Sequence, residues 1–322
     1  MNAPIYLPLA RSAVDRDYLS RNRENLFDEL WVNPDTRVLV MRDHKVLLQG
    51  SSDDPKPVLK LLATSETPNA QLLVYLGKSL EASPGEPVGT PIVLAVLSDL
   101  VADLLEPDAN AWHSLRHTGA GLDSRDSGIY SQALALANWH ETHLHCPRCG
   151  TATVIERAGW VRRCLKDDHE IFPRTDPAII VSVIDDQDRL LLGSQGVWEE
   201  NRWSILAGFV EPGESLAAAV IREMHEEAGV HVVDPVFLGS QAWPFPYSLM
   251  VGFTAKIDPE HAGRDLVPDG DEIEKLRWFS REELAAEAKD LLLPGYLSIS
   301  RALIEHWYGG PIVSATELKL IK

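Results

Sequence analysis

At 322 residues, 45% hydrophobic and 24% charged, the chain is long enough for more than one hydrophobic core and apolar enough to offset its ordering entropy. A formal charge of −18, from 30 basic against 48 acidic residues, argues against a protein that coats a nucleic-acid backbone, though not against one that meets phosphates through metal ions. No run reaches the roughly 18 apolar residues of a bilayer span, the start MNAPIYLPLARSAVDRD lacks a basic-then-apolar leader, and cysteines number three, so a reducing, cytoplasmic setting with no membrane partner is expected.

In chain order, Arg37 to Gln49 (RVLVMRDHKVLLQ) predicts two short strands around a polar turn at Asp43 and His44, and Gln71 to Leu76 predicts another. Pro91 to Leu105 has helical spacing, interrupted by Asp99 and Asp103, and predicts a soluble helix. The Gly-, Asp- and Ser-rich stretch Thr118 to Gly128 predicts a loop and a first boundary. Tyr130 to His143 puts Leu134, Leu136 and Trp139 in helical register, and the β-branched run Ala178 to Ile184 predicts a buried strand answered by Arg189 to Leu192. The expected architecture is α+β: a mixed α/β domain over 1–128, a linker helix and knuckle-like insert over 129–172, and a third domain over 173–322. No repeat at a fixed period is visible.

Cys146, Cys149 and Cys164 have the spacing Cys-x2-Cys-x14-Cys, which suits three corners of a tetrahedral zinc site. Asp167, Asp168 and His169 are the candidates for the fourth corner, and a knuckle that keeps its fold without metal is the competing reading.

The segment GFVEPGESLAAAVIREMHEEAGV, Gly208 to Val230, predicts a glycine-opened turn, a helix begun by Glu214 and Ser215, and a stop at Gly229. Glu223 and Glu227, four residues apart, share one helix face, with Glu226 on a neighbouring line. Like charges at that spacing repel unless a cation sits among them, and hard divalent ions such as Mg2+ or Mn2+ prefer carboxylate oxygen and bridge phosphates. A solvated face with Arg222 paired to Glu226 is the plainer reading of the glutamates alone, but every defining position of a longer pattern is filled around them.

That pattern resembles the Nudix box, the signature of hydrolases that cut nucleoside diphosphates linked to another group. The resemblance implies a loop-helix-loop against a mixed sheet in an α/β/α sandwich. It also implies Glu223, Glu226 and Glu227 as metal ligands, Arg222 orienting them and Glu214 in support. Further on, SQAWPFPYS (Ser240 to Ser248) is similar to the SQPWPFPxS array of the NADH pyrophosphatase branch, departing from it at Ala242. This implies hydrolysis of NAD(H) to NMN(H) and AMP, with the NAD-capped 5′ end of RNA as a larger substrate of the same bond. Trp243 and Phe245, stiffened by Pro244 and Pro246, would face a flat ring, and Gln241 and Ser248 would supply hydrogen bonds. By position the resemblance adds Phe209 and Ser300 as substrate contacts and Glu272, six before Trp278, at the metal site. Phe172 would reach the substrate of a second subunit in a homodimer. The rival readings are an ADP-ribose or other nucleoside-diphosphate hydrolase and a non-catalytic nucleotide-binding protein.

Overall fold

The computed structural model describes residues 5–50 and 56–320. These form two compact units, one of Leu9–Thr175 with Trp243–Tyr247, the other of the residues up to Pro8, Asp176–Ala242 and Ser248 onward.

The first unit is built on an eight-stranded sheet: β1 (Val14–Asp15), β2 (Arg37–Arg42), β3 (Lys45–Gln49), β4 (Val58–Leu59), β5 (Leu61–Ala63), β6 (Leu72–Ser79), β7 (Pro91–Val96) and β8 (Trp112–Ser114). Its order is β1-β6-β7-β2-β3-β4, with β5 on β2 and β8 on β3. The β2–β3 hairpin turns, as expected, at Asp43 and His44, both at positive φ. The helix expected over Pro91 to Leu105 is corrected: its first half is β7, parallel to β2 and antiparallel to β6. Ile92, Val93, Leu94 and Ala95 are all fully buried there, so the apolar run reflects a strand covered on both faces. Only Asp99–Leu105 is helical (α2, after α1 at Leu26–Val32), begun where the Ser98 hydroxyl accepts from the Val101 amide.

The loop expected over Thr118 to Gly128 is also corrected. Leu115–Thr118 is a short helix, α3, and Ser124 already opens α4 (Ser124–Thr142), capped by the Asp123 carboxylate on the Asp126 amide. Gly128 lies inside α4, where a Cβ would stand 2.9 Å from the Ser12 backbone; this glycine permits close packing and does not break the helix. Three further strands, β9 (Val154–Glu156), β10 (Val161–Cys164) and β11 (His169–Ile171), make a small antiparallel sheet carrying the cysteines.

The second unit has the order β15-β16-β12-β13-β17, with β14 on β12. The strands are β12 (Asp176–Ile184), β13 (Leu190–Ser194), β14 (Leu206–Phe209), β15 (Val232–Trp243), β16 (Ser248–Ile257) and β17 (Lys275–Phe279). β12 and β16 run parallel while the other pairs of β12 run antiparallel, a mixed sheet. One face packs Val181, Val183 and Phe253 against Ala219, Val220 and Met224 of α5 (Leu216–Ala228). The other packs Ile180, Leu190 and Leu192 against Leu303, Ile304 and Trp307 of a second helix, following α6 (Arg281–Glu287), which is α7 (Ile299–Tyr308). Helix on sheet on helix is the expected sandwich.

Candidate active site and metal sites

The α5 helix is fixed at both ends by local chemistry. The Ser215 hydroxyl accepts from the Ala218 amide, and Gly229, at φ 65°, closes the other end in the left-handed region that costs glycine little. This projects Arg222, Glu223, Glu226 and Glu227 from a helix whose opposite face is core. Glu214 does not cap the helix amides. It accepts from the Glu211 amide and from both Nε and Nη2 of Arg222, each at 2.9 Å, which holds its carboxyl below the usual range.

Arg222 is the hub. Its Nη1 lies 2.9 Å from Glu223 Oε1 and 2.9 Å from Glu226 Oε2, and its Nη2 donates to the Phe209 carbonyl at 2.9 Å. One planar guanidinium thus ties the turn before α5, the end of β14 and two of the three helix glutamates. Gly208 in β14 makes room for Glu223: a Cβ there would stand 2.0 Å from the Glu223 carboxyl carbon. The opening glycine of the box is therefore a seat for a carboxylate.

Glu227 is different. It is 5% exposed, and its Oε2 is buried with no hydrogen-bond partner. Burial, then the charges of Glu223, Glu272 and Asp269, push its carboxyl up to about 8. Glu272, expected at this site, is thus felt electrostatically by Glu227. Asp269 was missed: its carboxylate accepts from the Glu272 and Ile273 amides and organises the turn that carries Glu272. A short acidic turn has no spacing that separates it from a solvated loop.

A buried, unpartnered carboxylate oxygen amid other carboxylates fits a hard divalent cation and little else. The glutamates are not gathered as tightly as expected. Among the described residues, the ligand atoms of three or more His, Cys, Asp or Glu that lie within 4.8 Å of one another are those of Cys146, Cys149, Cys164 and Asp167. Arg222 balances Glu223 and Glu226.

In the cysteine cluster, Cys146 Sγ is 3.4 Å from Asp167 Oδ2 and Cys149 Sγ is 3.5 Å from Cys164 Sγ. Of the three candidates for the fourth corner, Asp167 is the one that joins. Asp168 pairs with Arg163 at 2.7 Å, and His169 has entered β11. Three thiols and a carboxylate suit zinc.

The SQAWPFPYS array is the end of the β15–β16 hairpin. Trp243 and Phe245 meet edge to face at 4.9 Å. Within the first unit, Asn138 of α4 donates to the carbonyls of Pro244 and Pro246, each at 3.0 Å, and the Arg116 guanidinium lies 3.9 Å from the Phe245 ring centre. Neither residue was expected: Asn138 is one of several polar residues on α4, and nothing in its spacing sets it apart. Phe172 and Phe209 are exposed, and Ser248 is half-buried at the start of β16. Gln241 and Ser300 are turned inward. Gln241 donates to the Leu297 carbonyl at 2.9 Å, while Ser300 shares its hydroxyl with Ser204 at 2.8 Å and its amide with the Ser298 cap. No helix among the described residues is long and apolar enough to cross a membrane.

Comparison with known proteins divides the chain into three matches: an NADH pyrophosphatase-like rudimentary NUDIX domain over 35–139, an NADH pyrophosphatase zinc ribbon domain over 141–172, and a NUDIX domain over 173–298. The NAD-capped RNA hydrolase NudC of Mycobacterium bovis is 46% identical over 204 residues, 60% of this chain and 64% of that protein. The NAD-capped RNA hydrolase NUDT12 of Homo sapiens is 36% identical over 200 residues, 58% of this chain and 42% of that one. The match thus spans less than two thirds of these relatives' length. A crystal structure of a NUDIX hydrolase from Nitrosomonas europaea is 21% identical, covering 52% of this chain and 94% of the other with a TM-score of 0.41.

Proposed function

Because the chain belongs to the NUDIX family, with the zinc ribbon and rudimentary NUDIX domains of NADH pyrophosphatases before its NUDIX domain, we propose that it hydrolyses the pyrophosphate of NAD(H) to NMN(H) and AMP. The same cleavage would remove the NAD cap from an RNA 5′ end, as the names of its relatives say of those proteins. The observation that carries the reading is the buried, unpartnered Oε2 of Glu227 beside a Glu223 seated against Gly208.

In this reading Glu223, Glu226, Glu227 and Glu272 hold Mg2+ or Mn2+. When bound there, the metal would supply neutralisation of charge on the pyrophosphate and a more acidic water. Arg222 keeps Glu223 and Glu226 in place, with Glu214 as its anchor. Glu227 Oε2, buried and lacking any donor, is the carboxylate atom that gains most from a cation, whose charge would draw off the proton that burial and the neighbouring carboxylates otherwise favour. Trp243 and Phe245, braced by Asn138 and Arg116, present the flat surface a nicotinamide or adenine would stack on, and Phe209 and Phe172 offer exposed rings. Phe172 would serve a second subunit's substrate in a homodimer, and a reducing cytoplasm suits the three free thiols.

The test is product analysis with Mg2+ or Mn2+ on NADH, NAD, ADP-ribose and a 5′-NAD RNA. NMNH and AMP from NADH, at a higher kcat/KM than the products from ADP-ribose, is the expected result. Preference for ADP-ribose would move the assignment to another branch of the family, and no metal-dependent cleavage of any of the four would refute it.

A further inference from the structure

The first unit contains a cavity of about 410 Å³ at the carboxyl ends of its parallel pair β2 and β7, where Met41 and Val96 lie. In open sheets with parallel strands this is the usual place for a ligand, and the volume is that of a small-molecule pocket. Met41, Leu72, Val96, Ala137, Leu144 and Ile155 line it with apolar atoms.

Arg162 of β10 also lines it. That side chain is 6% exposed, and among the described residues no carboxylate comes within ion-pairing distance. Three of its five N–H groups have partners: Nε donates to Thr153 Oγ1 at 2.7 Å, Nη2 to the Thr153 carbonyl at 3.2 Å, and Nη1 to His140 Nδ1 at 3.0 Å. One N–H on each of Nη1 and Nη2 has no partner among the described residues, so the guanidinium keeps donors for an anionic oxygen. His140 supplies no compensating charge. With Nδ1 accepting from Arg162 and Nε2 donating to the Gly159 carbonyl at 2.8 Å, its imidazole is neutral. A buried cation without a counter-ion is costly unless something else brings the charge.

We propose that this cavity binds a small monocarboxylate with an apolar body, its carboxylate paired to Arg162. The acidic groups Asp43 and Glu141, which also line the cavity, disfavour a doubly charged phosphate. The site belongs to the first unit and uses none of the residues assigned to hydrolysis.

The probes are 3-phenylpropanoate, its neutral primary amide and inorganic phosphate, titrated against the full chain by calorimetry and ligand-observed NMR. The acid should bind, with the amide and phosphate at least about tenfold weaker, because neither matches an apolar-bodied single charge. Arg162→Gln should weaken the acid by about tenfold or more. Ala137→Leu, which leaves the guanidinium in place and fills the space, should do the same, and it decides the matter if Arg162→Gln fails to fold. No binding of the acid, equal binding of acid and amide, preference for phosphate, or full binding by a folded Ala137→Leu chain would each overturn the proposal.

Discussion

The two large sheets share one plan. In the first unit β6, β7, β2 and β3 lie side by side, with β5 on β2 and β8 on β3; in the second, β15, β16, β12, β13 and β17 do the same, with β14 on β12. Each has one parallel pair, β2 with β7 and β12 with β16. The difference lies in the connection that follows β5 or β14. After β5 comes a single 3-10 turn, Thr64–Glu66, before β6. After β14 comes the whole of α5 with its glutamates before β15. The sheet stands without the helix, so the scaffold and its chemistry are separable, and function resides in what one connection carries.

If that contrast is sound, disturbing the seat of α5 should harm turnover far more than folding. Gly208→Ala puts a methyl where the Glu223 carboxyl sits, and a displacement of that size should cost roughly 100-fold in kcat/KM for NADH while leaving the far-UV circular dichroism unchanged. A loss below about threefold would mean that Glu223 is free to move and that the contrast is overstated. The cysteine cluster tests whether the first unit keeps a metal role of its own. Asp167→Ala should weaken zinc by roughly tenfold or more, and Asp167→Cys should strengthen it, in competition with a chromophoric chelator. Equal affinity in all three chains would remove Asp167 from the site.

A smaller effect is expected from Asn138→Ala, which frees the carbonyls of Pro244 and Pro246. KM for NADH should rise by roughly 3- to 10-fold with kcat little changed, as the substrate-positioning role proposed for the array requires. An equal fall in kcat would tie the array to the chemical step. The smallest signal is a pH slope. Burial foremost holds His140 down to about 4, against 6.5 for the free side chain. The unfolded chain therefore takes up a proton that the folded unit refuses, and stability present above pH 6.5 is lost as pH falls from 6.5 towards 4. The slope is about 1 kcal/mol per pH unit at most, and it should flatten in His140→Gln. A wild-type chain whose unfolding midpoint ignores pH across that window would show that His140 is charged in the fold.

The second unit was the more legible of the two because its chemistry is local. A helix cap, a glycine stop and glutamates spaced by three and four residues declare themselves within Gly208 to Val230. What escaped depends on distant partners. Nothing local shows that Gly208 seats a carboxylate, that Asn138 braces a hairpin more than 100 residues away, or that Gln241 and Ser300 spend their polar groups inside the fold. The β7 strand was misread because an apolar run covered on both faces has no period of two to betray it. The shared sheet plan leaves no repeating spacing, since the connections differ in length and the matched positions need only be apolar.

The account rests on the acidic face of α5, and the most direct test is metal-dependent hydrolysis of NADH by Glu227→Gln beside the unaltered chain. Gln keeps the shape of the side chain and removes the ability to carry a charge from a carboxyl whose buried Oε2 has no hydrogen-bond partner. A fall in kcat of at least about 100-fold, with the fold intact, is the predicted result. Turnover equal to that of the unaltered chain would contradict it.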